Sequence, residues 1–73
     1  MSEHEQMKLG MVKNLALMLM ENDPSLSMEQ ALSVVMNSDT YQRVQNEATR
    51  LYYQSPGYVY SFLENELKTG VMK

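Results

Sequence analysis

The chain has 73 residues, nine acidic against six basic side chains, a net charge of −3, and no cysteine. That length allows one domain at most, 1–73. It excludes a disulfide scaffold, and the acidic balance argues against a nucleic-acid or anionic-membrane binder that works through a concentrated basic surface. Hydrophobic residues make up 44 %, enough for a packed core. A domain this small buries only ~60 % of the surface its unfolded chain exposes, so self-association is the stabilising device left open. The N-terminus, Met1-Ser2-Glu3-His4-Glu5-Gln6, lacks the basic start of a secretory signal. The apolar run from Leu15 to Met20 is six residues, far short of the ~20 needed to span a bilayer. A soluble, cytoplasmic protein is expected.

Four helices are expected, taken in chain order. Residues 1–4 are expected to fray, and helix one runs over 5–21. It stops at Asn22-Asp23-Pro24, because proline disfavours helical geometry in the residue before it. Helix two, 28–37, opens on a capping box: Ser27 and Gln30 each satisfy the other's backbone N–H. Helix three, 39–54, begins after Asn37, with Ser38 or Asp39 as its cap and Asp39/Gln42 at box spacing. Helix four, 56–69, starts with Ser55 as cap and Pro56 at the first position, where a missing N–H costs nothing. Gly70 stands where a left-handed C-terminal cap is wanted. No segment shows sustained two-residue alternation, so the fold class is all-α, a compact bundle of four short helices.

Helical spacing assigns faces. Helix one puts Met7, Met11, Leu15, Met18 and Leu19 together, with Val12 and Ala16 at the edge. Leu17 and Met20 fall on its other side. That side is covered by the remaining helices, is covered by a second chain or partner, or is simply exposed, as single apolar residues often are. Helix two buries Met28, Ala31, Leu32, Val35 and Met36. Helix three buries Tyr41, Val44, Ala48, Leu51 and Tyr52. Helix four buries Val59, Phe62 and Leu63, with Leu67 at the edge. Glu66 lies inside that last stripe, so its carboxylate must find a donor or sit at the rim.

Catalytic patterns are missing. His4, the single histidine, is expected near a loose terminus without a fixed neighbour. Glu64 and Glu66 are two apart and point apart on a helix. Gly10, Gly57 and Gly70 are isolated, so there is no phosphate-cradling loop. No enzyme activity, cofactor or metal is expected. A helix-turn-helix is a competing reading: helices two and three share a tight connection, and Gln42, Arg43, Asn46 and Arg50 are residue types that read bases or hold phosphates. A solvated face explains the same residues.

Four of the five tyrosines, Tyr52, Tyr53, Tyr58 and Tyr60, crowd around Gln54-Ser55-Pro56-Gly57. Helical spacing turns Tyr52 and Tyr58 inward, to fasten the corner made by Ser55, Pro56 and Gly57. It turns Tyr53 and Tyr60 outward, where tyrosine is a frequent binding hot spot. The candidate partner-binding residues are therefore Tyr53, Tyr60, Leu17 and Met20.

The stretch from Leu26 to Leu67 resembles a family of small bacterial helical proteins classed as a domain of unknown function. The shared features are the helix start at Leu26-Ser27, the segment Leu51-Tyr52-Tyr53-Gln54-Ser55, and the pair Tyr58-Val59 opening the last helix. Many members carry histidine at the Tyr52 position and glycine at the Ser55 position. Genes of that family often lie beside a gene for a larger protein resembling ADP-ribosyltransferase toxins. The resemblance implies a protein partner and an antitoxin-like role. The functional expectation is thus a non-enzymatic bacterial interaction module, a homodimer or other homo-oligomer. The alternatives are a small DNA-binding regulator and an orphan structural subunit.

Overall fold

A computed structural model describes residues 2–69. Its helices are α1 (Glu3–Asn22), α2 (Met28–Met36), α3 (Asp39–Gln45) and α4 (Pro56–Thr69). Two 3₁₀ turns, Glu47–Thr49 and Leu51–Tyr53, lie between α3 and α4. The described residues contain no strand, and the fold is an all-α bundle. The expected Gly70 cap lies outside the described residues.

Local chemistry sets each helix start. Ser2 accepts from the Glu5 N–H and Glu5 accepts from the Ser2 N–H, so α1 begins at Glu3 and residues 3 and 4 are helical rather than frayed. The capping box Ser-x-x-Glu supplies the reason, since it satisfies two orphan donors of the first turn. Ser27 and Gln30 form the expected second box. Ser38, not Asp39, caps α3: its hydroxyl accepts from Tyr41 and donates to the Val35 carbonyl. Ser55 accepts from Tyr58 at the start of α4.

The box spacing Asp39/Gln42 is not used: Ser38 is the cap, and Glu66 takes the Asp39 N–H that the Gln42 side chain would have taken. Its carboxylate accepts from the backbone N–H of Asp39 at 2.7 Å, and from the N–H and hydroxyl of Thr40 at 2.9 and 2.8 Å. Burial pushes the Glu66 carboxyl up. The three donors outweigh it and hold the group below the usual carboxylate range. The carboxylate inside an apolar stripe is thus a long-range cap that ties α4 to the N-terminus of α3.

Helix three is shorter than expected. It stops at Gln45 because Asn46 leaves helical geometry, φ −80° and ψ 114°, and its side chain caps the first 3₁₀ turn through the Ala48 N–H. Arg50 then adopts the left-handed conformation, φ 53°. Of the residues expected to bury beyond Gln45, Ala48 is exposed, while Leu51 and Tyr52 are buried as expected, carried by a 3₁₀ turn rather than by helix. Gly57 lies within α4, whose start at Pro56 follows the extended Gln54.

The core is built on α1, which touches α2, α3, α4 and the second 3₁₀ turn. Met11, Val12, Leu15, Ala16 and Leu19 bury there, with Ala31, Val35, Val44, Leu51, Tyr52, Val59, Tyr60 and Leu63 from the other elements. Val12 and Ala16 are central rather than marginal, because α1 is covered on more than one side. Met36, expected inside, is exposed. No helix among the described residues is long and apolar enough to cross a membrane.

Candidate functional site

The tyrosines divide differently from the helical expectation. Tyr52 is buried and Tyr53 is 53 % exposed, as expected. Tyr60 is only 8 % exposed, and Tyr58 is 52 % exposed. The outward reading of Tyr60 and the fastening role of Tyr58 are both corrected. The physical reason is that α4 packs against both α1 and α3, which widens its buried stripe to include Val59 and Tyr60 side by side. Asn22 at the end of α1 donates to the Tyr60 hydroxyl at 3.0 Å. Burial pushes the Tyr60 phenol up, the Asn22 bond pulling the other way. Tyr58 instead lies edge-on to Phe62, with centroids 5.1 Å apart.

The remaining candidates are also placed. Leu17 is exposed and Met20 packs partly against the core. Gln42, Arg43, Asn46 and Arg50 are exposed. Arg43 and Arg50 do not share a helical face, because the helix between them ends at Gln45. Asn46 spends its side-chain oxygen on the Ala48 cap.

One polar cluster escaped the sequence reading, and His4 is its centre. The α1 start that Ser2 caps fixes His4 in the first turn, with Lys8 one turn on and on the same side. The second 3₁₀ turn, which follows the left-handed Arg50, packs Tyr52 and Tyr53 on α1, and Glu47 from the first 3₁₀ turn reaches His4 and Lys8. Glu47 accepts from His4 Nδ1 at 2.9 Å, and Lys8 Nζ lies 3.4 Å from its other oxygen. The Tyr53 hydroxyl lies 3.1 Å from His4 Nε2. The Tyr52 hydroxyl donates to Glu47 at 3.3 Å and sits 3.3 Å from His4 Nδ1.

Ring packing binds the same residues. Tyr52 and Tyr53 have centroids 4.8 Å apart, and the His4 ring lies 5.2 and 5.8 Å from them. Lys8 Nζ lies 5.4 Å from the centre of the Tyr52 ring, within cation–π range. The His4 bond holds the Glu47 carboxyl below the usual carboxylate range, with Lys8 adding to it and partial burial opposing. Burial pushes the Tyr52 phenol up, and the Glu47 charge adds to that.

Because a carboxylate only accepts, Glu47 selects the His4 tautomer that carries its proton on Nδ1. In the neutral ring Nε2 is then the accepting nitrogen, and the Tyr53 hydroxyl lies within hydrogen-bond distance of it. The cluster opens on a shallow hollow of about 360 Å³ lined by Ser2, Glu3, His4, Glu5, Lys8 and Glu47. The Ser2-x-x-Glu5 box and the four-residue spacing of His4 and Lys8 are visible in the sequence. Their pairing with Glu47, 43 positions beyond His4, is not.

Comparisons with family models, with curated proteins and with solved structures found no match to this chain.

Proposed function

We propose that this chain is a protein-interaction module whose partner docks on the Tyr53 edge of the bundle. One observation carries the reading. Tyr53 is 53 % exposed, yet its ring rests on Tyr52 and its hydroxyl is bonded to His4. An exposed aromatic that is already ordered gives a partner large contact area at little entropic cost. The concrete version is antitoxin-like: the partner is the product of the neighbouring gene, as the family resemblance implies.

The test is calorimetric titration of the pure chain with that product. Tyr53→Ala is expected to weaken the complex at least about tenfold, in the hot-spot range. Tyr58→Ala, at an equally exposed ring outside the cluster, is the control. Unchanged affinity in the Tyr53 variant removes this edge as the docking site. Absence of any complex removes the antitoxin-like version.

Self-association is part of the same proposal. Leu9 and Leu17 are exposed on α1 and fall on one side of it with Met20. A second copy covering that side would relieve the marginal core of so short a chain. Light scattering across protein concentration is expected to give a dimer that Leu17→Glu dissociates. A monomer at every concentration would discard it.

A further inference from the structure

We propose that Tyr53 is a nucleophilic hydroxyl, activated by His4 and oriented through Glu47, that takes an acyl group from an uncharged activated acyl donor. The proposal stands apart from the docking reading and needs no partner.

The three groups are in series. The Tyr53 hydroxyl is 3.1 Å from His4 Nε2, and His4 Nδ1 is 2.9 Å from the Glu47 carboxylate. That is the arrangement by which a weak nucleophile is activated: a base within hydrogen-bond reach, held in the right tautomer by a third group. Three secure elements supply it. His4 stands on a capped helix, Glu47 opens a 3₁₀ turn capped by Asn46, and Tyr53 rests on the buried Tyr52. The hydroxyl is not sealed in, because the Tyr53 ring is half exposed.

The charge beside it selects the donor class. The hollow lined by His4 and Glu47, though not by Tyr53 itself, also carries Glu3 and Glu5 against Lys8 as its one lysine. A polyanionic donor such as a nucleoside triphosphate meets net repulsion there, and an uncharged ester does not. The step balances simply. The phenolic oxygen of Tyr53 attacks the acyl carbon while His4 Nε2 takes the phenolic proton. The bond from acyl carbon to leaving oxygen breaks, and the leaving group departs with its electron pair. Tyr53 then holds the acyl group as an aryl ester, and the imidazolium gives its proton to water. The shallow, open hollow suits a single stoichiometric transfer rather than turnover.

Tyr58 is a built-in reference, because it is 52 % exposed, nearly the same as Tyr53, and lies outside the cluster. The full chain is treated with p-nitrophenyl acetate, and acetyl groups are mapped by mass spectrometry after proteolysis. Acetylation is expected about a hundredfold faster at Tyr53 than at Tyr58, the low end of what a positioned base supplies. His4→Ala should bring the two rates to near equality. Glu47→Gln keeps the shape without the charge and should lower the ratio about tenfold, the scale of one modest charge-assisted hydrogen bond. Glu47→Asp, which restores a carboxylate, should recover part of it. Circular dichroism follows helicity in each variant. Equal acetylation of Tyr53 and Tyr58 in the unaltered chain overturns the proposal. So does a ratio that survives His4→Ala.

Discussion

Leu15→Ala is expected to cost about 3–4 kcal/mol and to lower the thermal midpoint by about 15–25 °C. Leu15 is fully buried in the middle of α1. That helix is packed by α2, α3 and α4, so the hole left by three missing carbons has neighbours on several sides and little room to collapse. A chain of 73 residues has a total stability of roughly 4–11 kcal/mol. The loss is therefore a large share of the whole, and at the lower end of that range the variant is substantially unfolded at 37 °C. Thermal melts followed by circular dichroism read the effect. A midpoint within about 3 °C of the parent would mean that α1 is not the centre of the core.

Glu66→Ala is expected to cost about 2 kcal/mol, with Glu66→Gln costing about half as much. The carboxylate answers two backbone donors of α3 and the buried Thr40 hydroxyl. Alanine removes the acceptor altogether. Glutamine keeps one oxygen and loses the charge that complements the helix N-terminus. A pH dependence follows. The Glu66 carboxyl lies below its ordinary value in the folded chain. Its contribution is thus fully present above the unfolded-state value, about 4.3. It is lost as pH falls through the lower folded-state value. Denaturant titrations from pH 6 to pH 2 should show stability falling in acid for the parent and falling less for Glu66→Gln. Parallel profiles would dismiss the carboxylate as the capping group.

Much of the fold could be read from particular residues. Ser27 with Gln30, Pro24, and Ser55 with Pro56 each act within a few positions of themselves, so the three helix boundaries they mark are where expected. The end of α3 is hidden in the sequence because apolar spacing continues through Leu51 and Tyr52. That spacing is met by a 3₁₀ turn after a left-handed residue, not by helix. Nothing about an arginine announces a positive φ, which is uncommon outside glycine. Tyr58 and Tyr60 exchanged roles for a related reason. Helical periodicity gives the relative directions of two rings, while the width of the buried stripe depends on how many neighbours a helix has.

What the sequence by itself determined is local: four helices, their caps, the stop before Pro24, and a mainly aliphatic core with no disulfide crosslink. What only the tertiary structure decided is which distant groups meet. Glu66 reaches α3 across 26 and 27 positions, and His4 reaches Glu47 and Tyr53 across 43 and 49. Caps and breakers act through backbone geometry within one turn of chain, so their signal is written in adjacent letters. A carboxylate's partner, or an imidazole's, is set by how whole helices pack. No short-range pattern encodes that.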